Sequence, residues 1–83
     1  MAIDRIGVQR GTQAYLGAGM EIGLVRVREG EGGGPPEVVL FVKDENERDL
    51  TLRLGDTFPI GDQTWSLDRI AEDGMGAVFV RVE

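Results

Sequence analysis

The stretch Gly55-Asp56-Thr57-Phe58-Pro59-Ile60-Gly61-Asp62-Gln63-Thr64-Trp65-Ser66-Leu67 decides the fold class. Two short β-like runs flank a Gly-Asp pair, the signal of a two-residue hairpin whose first central position takes a positive φ. Counting outward from Gly61-Asp62, Ile60 faces Gln63, Phe58 faces Trp65 and Thr57 faces Ser66. Phe58, Ile60, Trp65 and Leu67 then share one side, and Thr57, Pro59, Thr64 and Ser66 the other. The register by itself separates apolar from polar residues. Pro59 cannot donate to a ladder, which predicts either an edge position for its arm or a missing N–H that points outward.

The same punctuation extends in both directions. Residues 49–54 alternate Leu50, Leu52 and Leu54 with Thr51 and Arg53, the clearest period of two in the chain. The polar turn Asp44-Glu45-Asn46-Glu47-Arg48 joins them to residues 37–43, where Val38 to Val42 are apolar on both faces. Such a run predicts a strand in the middle of a sheet, covered on both sides. Further out lie strands over residues 3–10, with Ile6 and Val8 in phase, over residues 20–28, and over residues 77–82, with Val78, Val80 and Val82 in phase. A short piece covers residues 13–16. The Gly/Pro segment 30–36 reads as a flexible loop in which replacing Gly33 costs little. No segment keeps a helical apolar period for three turns without a glycine.

These elements predict an all-β protein, a single domain over residues 1–83. It is either a small antiparallel β-sandwich or a partly open barrel, with about six or seven strands. Eighty-three residues support one thin core, because a chain of this size buries roughly 63% of its unfolded surface. The expected core includes Val25, Val27, Leu54, Phe58, Trp65, Val78 and Val80.

Composition narrows the chemistry. With 15 acidic against 9 basic side chains and a net charge of -6, the chain lacks the phosphate-neutralising surface of nucleic-acid binders. Anionic membranes are excluded as partners on the same ground. The absence of Cys and His removes the thiolate nucleophile, the imidazole base, Cys/His metal sites and disulfides together. No apolar leader and no 18-residue apolar run occur, which predicts a soluble, cytoplasmic protein.

The carboxylate pairs Glu45/Glu47, Asp44/Asp49 and Asp68/Asp73 fall in predicted turns, where solvent keeps acids ionised and leaves them no acid-base role. Asp44, Asn46 and Asp49 begin a calcium-loop pattern that fails at Arg48 and lacks the required Gly and distal Glu. Gly32-Gly33-Gly34 precedes two prolines and opens no helix, so no phosphate cradle is built there. The expectation is therefore no catalytic residue, no cofactor, no metal and no enzymatic activity.

Three residues remain as binding candidates. Arg26 and Arg28 share a strand face; they form either a carboxylate-recognition patch or cross-strand ion pairs with the chain's own acids. Trp65 is either a core anchor or an exposed ligand platform.

Residues 50–68, through Leu-Gly-Asp-Thr-Phe-Pro at 54–59 and Thr-Trp-Ser-Leu at 64–67, resemble a family of small actinobacterial proteins of uncharacterised function. The resemblance implies a compact β-domain and transfers no functional residue. The leading functional expectation is a non-catalytic protein-interaction module, binding another protein or a second copy of itself through sheet edges. The best edges are expected in the first strand, residues 3–10, and the last, residues 77–82. The alternative is a small-molecule or ion-binding domain that uses Arg26, Arg28 or Trp65 at the open end of the sheet.

Overall fold

A computed structural model describes residues 4–17 and 19–83. It holds eight strands: β1 (Arg5–Gln9), β2 (Gln13–Gly17), β3 (Met20–Arg28), β4 (Glu37–Lys43), β5 (Glu47–Arg53), β6 (Thr57–Ile60), β7 (Gln63–Ile70) and β8 (Gly76–Arg81). They form two four-stranded antiparallel sheets in the orders β1-β8-β7-β6 and β2-β3-β4-β5. The arrangement is a sandwich of two sheets and not a closed barrel. The short piece after Thr12 is a full strand, which raises the count above the expected six or seven. Residue 3 of the expected first strand lies outside the described residues.

The hairpin has the register its sequence predicts: Thr57 pairs with Ser66, Phe58 with Trp65, Pro59 with Thr64 and Ile60 with Gln63. Gly61 takes φ +58°. β6 is a sheet edge. In a two-residue hairpin the Ile60–Gln63 pair exchanges hydrogen bonds, so Pro59, one step along, has its missing N–H on the open side.

Both sheets supply the core. Val8, Phe58, Ile60, Trp65, Leu67, Ala77 and Phe79 come from the first, while Leu16, Met20, Ile22, Leu24, Val38, Leu40, Val42 and Leu52 come from the second. Phe58 and Phe79 meet edge to face, with centroids 5.8 Å apart at 87°, a geometry that adds about 0.5–1.5 kcal/mol to plain burial. Trp65 is 1% exposed, and its indole N–H donates to Gln63 Oε1 at 2.9 Å.

Several expectations are overturned. In β8 the buried face is Ala77 and Phe79, while Val78 and Val80 are half-buried on the other side. One phenylalanine outweighs the run of valines, which also suit a partly wet sheet surface. β8 lies inside its sheet between β1 and β7, so the last strand has no free edge; the first strand does. A bulge between Leu24 and Arg26 shifts the phase of β3 and leaves Val25 48% exposed. Leu54 lies one residue beyond β5 and is exposed. β4 is central in its sheet, but only Val38, Leu40 and Val42 are buried, with Val39 and Phe41 on a half-open outer face. The Gly/Pro segment is ordered around a 3-10 turn at Glu31–Gly33, and Gly33 has φ +78°. A side chain there is strained rather than harmless.

Candidate functional site

The outer face of β2-β3-β4-β5 collects the unusual side chains. The chain has one Trp, one Tyr and three Phe; Trp65, Phe58 and Phe79 are buried. The other two, Tyr15 and Phe41, both project from this face, since they alternate with the inward-facing Ala14, Leu16, Leu40 and Val42. Tyr15 is 70% exposed. Between their strands Gly23 pairs with both Gln13 and Phe41. Gly23 is buried, and a Cβ there would stand only 3.3 Å from Gln13 Cγ and 3.9 Å from Phe41 Cβ, so Gly23 lets the flanking side chains close over it. With Thr12, Val25 and Asp49 it forms a recess of about 430 Å³.

Two of the three residues singled out from sequence lie on this face. Arg26 pairs in register with Val39, and Arg28 with Glu37. Arg28 Nε is 3.3 Å from Glu37 Oε1, and Arg53 Nε donates to Glu37 Oε2 at 3.2 Å. The carboxylate that Arg28 recognises is thus the chain's own, as the cross-strand reading expects. Arg26 is exposed and makes no ion pair among the described residues. Trp65 is the exception, because its ring is packed between the sheets and offers no surface to a ligand.

Neither Tyr15 nor Phe41 was singled out from sequence. For Tyr15 a signal was present, since it is out of phase with Ala14 and Leu16; for Phe41 there was none, because residues 38–42 are apolar at every position.

A second feature fastens the sheets together. Asp44, in the β4–β5 turn, accepts the Asn46 N–H at 3.0 Å on Oδ1 and the Gly61 N–H at 2.9 Å on Oδ2. Arg48 Nη1 donates to Asp44 Oδ1 at 3.1 Å, and Arg48 Nη2 donates to the Pro59 carbonyl on the open side of β6. These bonds join an edge of one sheet to an edge of the other. The two backbone N–H groups, with Arg48, hold the Asp44 carboxyl down at about 2 from an ordinary 3.8. Protonation costs Asp44 its role as acceptor of three hydrogen bonds. The stability it adds is complete above pH 3.8 and is lost as pH falls toward 2. Melting curves between pH 5 and pH 2 should therefore fall more steeply for the native protein than for Asp44→Asn. Parallel curves would show that the carboxylate does not fasten the hairpin.

At one end of the sandwich a cleft of about 640 Å³ lies between the Gly/Pro loop and the β7–β8 turn. Val27, Leu54 and Ile70 line it, with Arg28, Glu72 and Asp73 among its polar groups. Among the described residues no group of three or more His, Cys, Asp or Glu is placed to hold a metal, and no helix is long and apolar enough to cross a membrane.

Comparison with curated proteins and with solved structures finds no match. A family match covers residues 3–83 and so takes in the N-terminal third and the Gly/Pro loop, well beyond the 50–68 stretch that carries the sequence resemblance. The chain, with its two-sheet fold and aromatic outer face, belongs to DUF6406, a family of unknown function.

Proposed function

We propose that the chain is a non-catalytic protein-interaction module that docks its partner on the outer face of β2-β3-β4-β5. The carrying observation is that both aromatic rings left out of the core, Tyr15 and Phe41, project from this one face, which also carries Val25 and Val39. Aromatic anchors on an outer face are typical of protein interfaces, where a few such residues supply most of the affinity. The net charge of -6 favours protein over nucleic acid as the partner class. We assign the protein to the cytoplasm, because domains this small in oxidising compartments are commonly cross-linked, and this chain has no Cys.

The test is affinity capture from native lysate with the full chain and with Tyr15→Ser/Phe41→Ser. The native chain is expected to retain a discrete partner, another protein or itself, that the double variant loses while melting at a similar temperature. The same retained set for both, or none for either, overturns the reading. The end cleft supports a second reading, because its 640 Å³ falls within the range of small-molecule sites. Ligand-induced thermal stabilisation that Arg28→Ala abolishes would favour it.

A further inference from the structure

The outer face of β2-β3-β4-β5 carries a charge pattern that a half-turn brings against its opposite. At one end the cross-strand neighbours are Glu21, Lys43 and Glu47; at the other they are Arg28, Glu37 and Arg53. Each of the three strands therefore ends in opposite signs, β3 and β5 running acidic to basic and β4 basic to acidic. Along β4 the two rows are about 20 Å apart at ~3.4 Å per residue. Gly23, Arg26, Val39, Phe41, Asp49 and Thr51 lie between them, with Val25 at the bulge.

Alternation within one row stabilises the sheet itself, as the Arg28–Glu37 and Arg53–Glu37 pairs show. It does not require the second row to invert the first. Two rows of identical sign order would serve the sheet equally well, and would repel a second copy laid on the face in reverse.

We propose that this face binds a second copy of the chain in a two-fold, face-to-face sandwich. The proposal rests on the reading of the face as protein-binding and names its partner. The axis lies in the plane of the face and crosses β3, β4 and β5 between Phe41 and Val39. It sets each strand against its own copy in reverse. Glu21 meets Arg28 of the second copy, Lys43 meets Glu37, Glu47 meets Arg53 and Phe41 meets Val39, each contact occurring twice, as in an isologous interface.

Four strands spaced ~4.8 Å apart and about seven residues long cover roughly 450 Å² per copy. The total lies close to the lower bound of about 1,000 Å² for specific interfaces. The association is therefore reversible and is weakened by salt, which screens the rim charges.

Sedimentation velocity on the full chain, across a concentration series at low and high salt, tests this directly. The native chain is expected to dimerise. Glu47→Arg or Arg53→Glu alone should weaken association by about tenfold or more, since each reversal places like charges together twice. An equimolar mixture of the two variants should recover it, because each reversed charge then meets its reversed counterpart. Phe41→Asp should remain monomeric. Melting temperatures taken alongside separate association from folding, which matters for Arg53 because it also pairs with Glu37.

A native chain that stays monomeric up to about 1 mM, or a dimer indifferent to these substitutions, overturns the two-fold sandwich. Monomer behaviour with a captured partner that depends on Tyr15 and Phe41 overturns the sandwich alone. Monomer behaviour without capture overturns the docking reading as well.

Discussion

Gly61→Val is expected to destabilise the protein by about 2–4 kcal/mol, whereas Gly7→Val should change stability by less than about 0.5 kcal/mol. Gly61 takes φ +58° at the hairpin turn, a backbone region that a β-branched residue enters only with strain of about 1–3 kcal/mol. Space is short as well, since a Cβ there would overlap the sulfur of Met20. Met20 is buried at the start of β3, so the new methyl groups would push the hairpin tip away from the opposite sheet. The Gly61 N–H also donates to Asp44, and a displaced turn weakens that bond. Gly7 has no atom within 4 Å of a built Cβ and no positive φ, so valine there adds a good strand former to an open surface. For a domain of this size the difference corresponds to a melting shift of more than about 6 °C. Equal melting temperatures would mean that the turn does not set the register.

Phe79→Ala is expected to cost about 3–5 kcal/mol, and Val80→Ala, one residue along, less than about 1 kcal/mol. Phe79 is fully buried and stacks edge to face on Phe58. Its removal opens a cavity between the sheets that Trp65 and Leu67 cannot fill without moving. Val80 points from the opposite side of β8 and is half-buried. A loss of 3–5 kcal/mol is a large part of the 5–15 kcal/mol that holds a small domain together, so chemical denaturation resolves the two variants clearly. Reversed costs would show that β8 presents its valines to the core.

The contrast between these two positions shows how far the sequence could be read. At the Gly61-Asp62 hairpin one short turn fixes the pairing, and polarity alternates on both arms, so register and buried face follow from counting. β8 has no such anchor. Val78, Val80 and Val82 are in phase, but so are Ala77, Phe79 and Arg81, and only packing against Phe58 chooses between them. In β3 the bulge at Val25 inserts a residue that no local pattern announces, because a bulge is a response to neighbouring strands. Arg26 and Arg28 share a face by period alone, because both lie beyond the bulge, whereas no local pattern groups Glu21, Lys43, Glu47 and Arg53 with them. Cross-strand neighbours are set by pairing between distant segments. Trp65 was legible only as a choice between core and surface, and burial decided it.

β1 pairs with β8, Gln9 opposite Gly76 and Arg5 opposite Val80, whereas every other strand pairs with one adjacent in sequence. During synthesis the meander β2-β3-β4-β5 can therefore close as it leaves the ribosome, followed by the β6-β7-β8 hairpins. β1 has no strand partner until β8 is made. Closing that long loop adds only a modest entropy, which grows as the logarithm of its length. It does place the joining of β1 late in folding, since distant pairings pay for loop closure before their contacts form. Until then β1 is an unpaired strand with an open ladder on either side. Gly7 at its centre, Arg5 at its start and Arg10 just beyond its end make it a poor template for another nascent chain, so the segment that waits longest is also one of low stickiness.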